Sequence, residues 1–235
     1  MPRSDTRFAG SRPEGGTTAQ AKASRGIFVT IEGPDFSGKS TLVRAMKPLL
    51  AEQDPPTYFT REPGGTPAAE RIRALVLDPE VEMDAWTEAY LYAAARADHA
   101  RHGIEPRLLR GGNVVCERYL DSSLAYQGYG RDLGVEAVRE LNAWAVGEIV
   151  PDRTFYLRIG AEERVRRARE LGASLDRIEK VGDEFWRRVE RGFEELIRLE
   201  PQRIEVLDGE RPPEELAELV VGEMRALQYT RRDDG

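Results

Sequence analysis

The chain has 235 residues, of which 40% are hydrophobic, and this length suits one α/β domain with a sizeable core. Its net charge of −7 argues against a protein that grips nucleic acid through the phosphates. Apolar runs fall far short of the roughly 18 residues that a membrane-spanning helix needs. The single cysteine, Cys116, favours a reducing cytoplasm, and 2 histidines are too few for a histidine-based metal cluster.

Both ends of the chain differ in composition from the stretch between them. Residues 1–25 are rich in Gly, Ser, Thr, Arg and Pro and show no hydrophobic period, which predicts a disordered tail. The polar residues 229–235 predict a frayed C-terminus. One folded domain is therefore expected over residues 26–228.

The first element is a short buried strand followed by a glycine-rich loop. The apolar run 27–31 is rich in β-branched residues, and Gly33-x-x-x-x-Gly38-Lys39-Ser40 then fits the phosphate-binding loop pattern. Glycines let backbone N–H groups curl around an anion, and a helix starting near Lys39 points its positive end at the same place. Lys39 can reach the β- and γ-phosphates, and Ser40 can hold Mg²⁺. The pattern predicts an ATP site formed by Gly33, Pro34, Asp35, Phe36, Ser37, Gly38, Lys39, Ser40 and Thr41.

A second strand and the longest helical stretch follow. The strand, residues 57–60, runs into the loop R-E-P-G-G-T, which begins at Arg61 and leads to a helix from Ala68 to Leu77. Residues 84–110 form the long helical stretch, in which Tyr92 and Arg96 are four apart and share a face. Taken alone, this pair also fits an aromatic on a core stripe beside a solvated arginine.

The third strand, residues 114–116, ends in Glu117 and Arg118. A carboxylate at the end of an apolar strand can hold water or Mg²⁺ beside Ser40. The next segment, D-S-S-L-A-Y-Q-G-Y-G-R, mixes polar and aromatic residues at close spacing. That composition suits a pocket better than a core.

The second half of the chain continues to alternate helices and strands. Helices are expected at 135–150, 161–170, 183–199 and 214–227, strands at 154–159 and 203–207, and a mobile segment at 171–182. This order predicts a doubly wound, five-stranded parallel sheet with helices on both faces and a short lid. The carboxyl ends of parallel strands meet at one edge of the sheet, so the loops after them should form one cleft.

Five strings of sequence make the chain resemble the thymidylate kinases, P-loop kinases that make dTDP from dTMP and ATP. They are G-P-D-F-S-G-K-S-T, T-R-E-P-G-G-T, L-Y-A-A-A-R-A-D-H, E-R-Y-L-D-S-S-L-A-Y-Q-G and L-D-R-I-E. The resemblance is collinear from about Gly26 to Leu227. It implies a P-loop fold over residues 26–228, ATP with Mg²⁺, no nucleic-acid or membrane partner, and a cytoplasmic homodimer.

The resemblance also implies roles for single residues. Asp35 is expected to bond the sugar 3′-hydroxyl of dTMP, and Arg61 and Arg118 its 5′-phosphate. Tyr92 is expected to stack on thymine and Arg96 to bond the edge of the base. The expected site is completed by Ser123, Tyr126 and Gln127 in the base and sugar pocket, Ser40 and Glu117 at the metal, and Lys39, Glu117, Arg118 and Arg169 in catalysis.

The chain departs from the family pattern at three positions. Phe36 stands where glycine or arginine is usual, and Glu117 and Arg158 stand where aspartate is usual. The lid, about residues 166–182, is longer than usual. Since Phe36 carries no charge, the arginine that neutralises the transferring phosphoryl group is expected from the lid, as in the bacterial members. Arg169 is predicted for that role, Arg166 and Arg177 are alternatives, and a solvated helix face is the structural alternative.

Two other functions fit the same residues. One is a kinase for another nucleoside or nucleoside monophosphate. The other is a low-activity nucleotide-binding regulatory module. Lys39, Arg61, Arg96 and Arg118 are all present, which disfavours the second alternative.

Overall fold

The computed structural model describes residues 25–170 and 182–233. Within them, five strands form one parallel sheet in the order β2-β3-β1-β4-β5. The strands are β1 (Phe28–Glu32), β2 (Tyr58–Arg61), β3 (Val114–Glu117), β4 (Arg153–Arg158) and β5 (Ile204–Asp208). Each bound lies within one residue of the prediction. The five-stranded parallel α/β sheet predicted from the sequence is confirmed.

Helices connect the strands and cover both faces of the sheet. They are α1 (Lys39–Leu49), α2 (Pro67–Leu77), α3 (Ala85–Asp98), α4 (Glu105–Leu109), α5 (Leu120–Ser123), α6 (Val135–Val146), α7 (Ala161–Glu170), α8 (Asp183–Leu199) and α9 (Pro213–Asp233), with π-helical turns at His99–Ile104 and Leu124–Gly130. Local capping sets several starts: Asp84 accepts from the backbone N–H of Trp86 and Thr87 at the head of α3. No helix in the described part of the chain is long and apolar enough to cross a membrane.

The two faces of the sheet carry different parts of the core. On one face Val29, Ile31 and Phe155 pack among apolar residues of α1 and α9. On the other face Val114 packs with the π-helical turn 99–104 and α4, and Tyr156 packs with the turn 124–130 and α8. Burial of strands on both faces explains why they read as continuous apolar runs in the sequence.

Two expectations about the elements are wrong, and a third is confirmed only in part. The helix expected to reach residue 150 ends at Val146, because Gly147 takes a φ of 54°. The segment expected to line a pocket rather than a core does both, since Leu124 and Ala125 are fully buried in the core. The last helix continues to Asp233 instead of fraying from residue 229. Arg231 holds that extension by donating to the carbonyl of Gly26 at 3.0 Å.

The predicted disordered tail lies outside the described residues except for Arg25. Its guanidinium is 2.8 Å from the carboxylate of Asp152. Asp152 also accepts from Arg231 at 2.5 Å and from the backbone N–H of Phe28 at 2.7 Å. This carboxylate therefore ties the start of β1 to the last helix.

Candidate active site

The loop between β1 and α1 has the strand–loop–helix setting expected of a phosphate-binding loop. Gly33 follows the strand with a φ of 144°, and a Cβ there would lie 2.8 Å from the carbonyl of Leu157. Gly38 caps α1 in the left-handed region with a φ of 99°. Only glycine fits both positions without strain. Phe36 takes a φ of 64° in the same loop, a conformation that bulky side chains adopt rarely.

Lys39 lies across this loop instead of extending into solvent. Its ammonium donates to the carbonyl of Gly33 at 3.1 Å and to that of Pro34 at 2.7 Å. Burial, followed by the charge of Arg118, lowers the pKa of Lys39 to about 7, although Asp35 and other carboxylates oppose the change. Lys39 is therefore a cation close to its titration point at neutral pH.

Ser40 and Glu117 come together beside the loop, as expected. The hydroxyl of Ser40 donates to a carboxylate oxygen of Glu117 at 2.7 Å. No group of three or more His, Cys, Asp and Glu side chains suited to a metal occurs among residues 25–170 and 182–233. Two oxygen donors at one point still fit Mg²⁺, because this ion keeps several waters and takes further ligands from phosphates.

Arg118 lies between the loop and the pocket beyond it. Its guanidinium donates to the carbonyl of Gly33 at 3.0 Å and pairs with the carboxylate of Asp35. Tyr126 donates to the other oxygen of Asp35 at 3.3 Å. Burial alone would raise the pKa of Asp35, but the charges of Arg118 and Lys39 lower it below its ordinary value. Asp35, Arg118 and Tyr126 are thus joined by hydrogen bonds into one polar wall.

Glu32, which sequence reasoning did not identify, is linked to Arg118 through Ser122. Its buried carboxylate accepts from the backbone N–H of Tyr119 at 2.7 Å and from the hydroxyl of Ser122 at 2.6 Å. Ser122 in turn accepts from Arg118 at 3.2 Å. Burial, followed by the charge of Asp121, raises the pKa of Glu32 to about 7. Arg118 itself takes a left-handed backbone conformation, with a φ of 62°.

The end of β2 and the helix α2 after it bring two arginines to the cleft, and Arg61 is the one that was predicted. Arg61 pairs with Glu70 at 3.0 Å, and its side chain is about half exposed. Arg73 of α2 donates to the carbonyl of Pro63 at 2.9 Å. Burial, followed by the charge of Arg61, lowers the pKa of Arg73. Arg73 lies outside the R-E-P-G-G-T motif, which ends at Thr66, so only its place on α2 identifies it.

Arg96 is buried, with only 2% of its surface exposed. It donates to Glu62 at 2.8 Å, to Ser123 at 2.9 Å and to the carbonyl of Tyr119 at 3.0 Å. It also contacts the amide oxygen of Asn142. The alternative of a solvated arginine is therefore wrong. A charge this deep is tolerated because Glu62 neutralises it and the other bonds replace water.

Two cavities open at the carboxyl ends of the strands and share four lining residues. The first has Tyr92, Arg96, Ser123, Tyr126 and Gln127 in its wall. The second runs along the loop 35–42 to Arg61 and Glu117. Both are lined by Asp35, Glu62, Arg73 and Arg118. All predicted base-pocket residues thus line one cavity. The predicted loop lines the other from Asp35 to Thr41, whereas its first two residues, Gly33 and Pro34, are not in the cavity wall.

The side-chain amide of Gln127 makes a hydrogen bond within the protein. Its amide nitrogen donates to Glu88 at 2.8 Å, and Glu88 also accepts from Arg131 at 2.9 Å. Glu88 is a buried residue of α3. This contact sets the orientation of the Gln127 amide in the wall of the first cavity, because the nitrogen must face Glu88.

The arginines of α7 do not all point toward the loop. Arg167, which the sequence did not single out, donates to the carbonyl of Ser37 at 3.2 Å and to that of Gly209 at 3.0 Å. Arg166 instead pairs with Glu163 and Glu170, both at 2.5 Å. Arg169 is exposed. The part of the predicted lid from residue 171 to 181, including Arg177, lies outside the described residues.

The three departures from the family pattern fall in different places. Phe36 and Glu117 line the second cavity. Arg158 forms an exposed bidentate pair with Glu194 of α8, at 2.7 Å. Arg158 is therefore directed toward α8. An arginine in place of the usual aspartate at this position changes an exposed contact with α8.

Comparisons with known proteins agree on one family. The family model for thymidylate kinase matches residues 31–220. The chain is 46% identical over 191 residues to a thymidylate kinase of Symbiobacterium thermophilum, covering 81% of this chain and 88% of the relative. It is 43% identical to one from Deinococcus radiodurans, covering 82% and 93%. A crystal structure of thymidylate kinase from Ehrlichia chaffeensis matches with a TM-score of 0.65 and 28% identity, covering 85% of this chain and 98% of that one.

Proposed function

The chain belongs to the thymidylate kinase family, and on that basis we propose that it transfers the γ-phosphoryl group of ATP to dTMP where its two cavities meet. The products are dTDP and ADP: a phosphate oxygen of dTMP forms the new bond to phosphorus as the bond to the leaving ADP oxygen breaks. The observation that carries this proposal is the sharing of Asp35, Arg73 and Arg118 by both cavities. One pocket takes each nucleotide, and the phosphates meet between them.

The shared wall supplies the positive charge that this reaction requires. Two anionic phosphates must approach in line, so catalysis depends on neutralising their repulsion and holding their geometry. Arg118 is fixed by Asp35, Gly33 and Ser122, and Arg73 by Pro63. We assign both to the acceptor phosphate, together with Arg61. Fixed guanidinium groups act without reorganising during the reaction.

The first cavity is proposed to hold the thymidine part of dTMP. Tyr92 and Arg96 lie in its wall with Ser123, Tyr126 and Gln127. The ring of Tyr92 offers a stacking surface, and Arg96 donates at the polar edge of the base. Asp35, reached from the same cavity, is assigned to the sugar hydroxyl. Rigid hydrogen-bonding groups of this kind give base discrimination as well as affinity, because a wrong base leaves them unpaired.

The second cavity is proposed to hold ATP with Mg²⁺. The backbone N–H groups of the loop and the start of α1 face the phosphates, and Lys39 lies among them. Ser40 and Glu117 are assigned to Mg²⁺, directly or through water. The ion, when bound, neutralises charge between the β- and γ-phosphates. Arg167 borders the same cavity and is assigned to the ATP side.

The family resemblance and the molecular surface together support two further proposals. We propose a homodimer through α3, because Trp86 and Tyr90 expose much of their rings side by side, with centroids 6.2 Å apart. We also propose a cytoplasmic location, in keeping with the single, buried thiol of Cys116.

The function is tested by coupled ADP release with dTMP, dUMP, UMP, CMP, AMP and thymidine as acceptors. We expect dTMP to give the highest kcat/KM. Tyr92→Ala should weaken dTMP binding by about 1–3 kcal/mol, the scale of a base–aromatic stack, and leave the KM for ATP unchanged. A higher kcat/KM with another acceptor would overturn the assignment of dTMP as the substrate. A variant that lost thermal stability but kept its KM for dTMP would mean that Tyr92 is a core residue instead.

A further inference from the structure

His99 is a buried residue that the proposed reaction leaves unexplained. It begins the π-helical turn after α3 and is 0% exposed. Its imidazole fits between two glycines: a Cβ at Gly65 would lie 2.4 Å from Nε2, and a Cβ at Gly103 would lie 2.6 Å from Cδ2. Neither glycine can carry a side chain without displacing the ring. The fold therefore holds this imidazole in one position.

Both ring nitrogens of His99 have partners, and the partners determine which nitrogen carries the proton. Nδ1 lies 3.0 Å from a carboxylate oxygen of Glu62, and Nε2 lies 2.8 Å from the hydroxyl of Thr60. An ionised carboxylate only accepts hydrogen bonds, so Nδ1 carries the proton and donates it to Glu62. Nε2 is then left to accept from the Thr60 hydroxyl.

Glu62 connects this histidine to Arg96. One carboxylate oxygen accepts from His99, and the other accepts from Nε of Arg96 at 2.8 Å. Glu62 also lines both nucleotide cavities. A carboxylate with two oxygens held by two different donors cannot rotate without losing one of them. The orientation of Glu62, and with it the direction in which Arg96 points, depends on the bond from His99.

Arg96 has little freedom left once these bonds are made. Its Nε donates to Glu62, Nη1 donates to Ser123 and Asn142, and one N–H of Nη2 donates to the carbonyl of Tyr119. Of its five N–H groups, one on Nη2 has no hydrogen-bond acceptor in the described part of the chain. Arg96 lines the first cavity, so this N–H is the group available to a bound base.

We propose that His99 is a positioning residue for the nucleotide acceptor, acting through Glu62 on Arg96. This inference rests on the assignment of the first cavity to dTMP. The acceptor is recognised as a nucleoside monophosphate whose base presents a hydrogen-bond acceptor to Nη2 of Arg96. His99 touches neither nucleotide. It sets how well the pocket matches the base, so its loss should weaken dTMP binding and leave ATP binding unaffected.

Two amide substitutions separate positioning from space filling. The amide of asparagine falls near the place of Nδ1 and can still donate to Glu62, whereas the longer glutamine places its amide near Nε2 and reaches Thr60 instead. We expect His99→Gln to raise the Kd and KM for dTMP roughly tenfold, the scale of a lost bond to a buried charge. His99→Asn should stay within about threefold of wild type by the same reasoning. The KM for ATP should not change in either.

The control is the other histidine of the chain. His102→Gln alters an imidazole whose side chain is 72% exposed and which pairs with Asp98 at 2.8 Å. It should leave both Kd and KM at the wild-type values. Gly103→Ala is a second variant, which removes no hydrogen-bonding group but places a methyl group against His99. It should weaken dTMP binding as His99→Gln does, and melting curves will show how much of each population is folded.

The outcomes distinguish this inference from the proposed function. Calorimetry of dTMP binding does not depend on turnover, so a wild-type protein that binds dTMP without transferring phosphate overturns only the proposed function. Equal effects of asparagine and glutamine at position 99, or equal losses of ATP and dTMP binding, overturn the positioning role. A wild-type protein that does not bind dTMP overturns both.

Discussion

At the scale of single residues, Lys39 has the most consequential environment. Its ammonium lies between two carbonyls of its own loop, and burial lowers its pKa from 10.5 to about 7. Phosphates arriving at the loop add negative charge around this group and favour its protonated form. We therefore expect the lysine to gain a proton as ATP binds, at any pH between its pKa in the free protein and its pKa in the complex.

Proton uptake on ATP binding follows from this change. At pH 8, which lies above the lowered pKa, Lys39 loses protons in the free protein, and the complex should hold it charged, so binding should take up protons. Calorimetry in buffers of different ionisation enthalpy measures this number. Lys39→Arg is charged in both states and should abolish the uptake while keeping some affinity. Equal uptake by wild type and Lys39→Arg would contradict the assignment.

The same residue predicts how stability depends on pH. The folded state holds Lys39 with a pKa of about 7 against an ordinary value of 10.5. Between these values the unfolded chain binds more protons, so this group makes the free energy of unfolding rise with pH across that window. The stabilising contribution of Lys39 is fully present above its ordinary pKa and is lost as the pH falls through its pKa in the folded state.

Lys39→Ala should also lower kcat by roughly 100-fold, because the variant loses the positive charge that Lys39 places beside the phosphates.

At the scale of elements, α7 presents its arginines to different surroundings. Arg166 is held in a surface ion-pair cluster with Glu163 and Glu170, whereas Arg167 reaches the carbonyls of Ser37 and Gly209. Adjacent residues on a helix point about 100° apart. Arg169, three positions after Arg166, shares its exposed side. The residue in contact with the loop is thus the one between the two that the helical spacing favoured.

Steady-state kinetics can distinguish Arg167 from Arg169, because their roles predict changes in different parameters, the KM for ATP and kcat. Arg167→Ala should raise the KM for ATP roughly tenfold with a smaller change in kcat, since its contacts exist before the reaction. If Arg169 neutralises the transferring phosphoryl group, Arg169→Ala should have the reverse effect. Its kcat should fall about 1,000-fold, and its KM for ATP should change little. Arg198→Ala, an exposed arginine of α8 with a side chain 69% exposed, controls for loss of charge. An unchanged KM for ATP in Arg167→Ala would remove that residue from the ATP site.

At the scale of the whole molecule, the outer surface of α3 is unusually apolar. Trp86 and Tyr90 lie one turn apart there, and Tyr90 is 60% exposed. The same helix carries Tyr92 and Arg96 on its inner side. An interface on the outer side would therefore stiffen the helix that forms the wall of the base pocket, because its backbone would be packed on both sides.

The homodimer is tested by light scattering at micromolar concentration. We expect a mass of about twice 26.4 kDa. Tyr90→Glu should shift the equilibrium toward monomer, because it would bury a charge in an apolar contact. Tyr229→Glu provides the matched control, since Tyr229 of α9 is 71% exposed but lies on another surface. A wild-type monomer, or equal effects of the two substitutions, would contradict an interface on α3.

The sequence alone determined the architecture and the place of the glycine-rich loop between β1 and α1. Apolar runs of strand length and amphipathic helical periods are local patterns, so the strands were placed within one residue. The loop pattern is local as well, because glycines, lysine and serine must stand at set distances along the chain to surround a phosphate. The base-pocket residues came from the family resemblance, and all of them line one cavity.

Only the tertiary structure decided how these residues are held. Arg96 and Glu62 are 34 positions apart, and Arg96 and Asn142 are 46 apart, so no local pattern relates them. Arg96 could be solvated or buried according to which side of α3 faces the sheet, and that depends on packing among several helices at once. The same holds for Arg167 against the loop and for His99 between its two glycines. Such contacts join distant segments, and they exist only when the whole core has formed, because the free energy that orders them comes from burial shared by all of its elements.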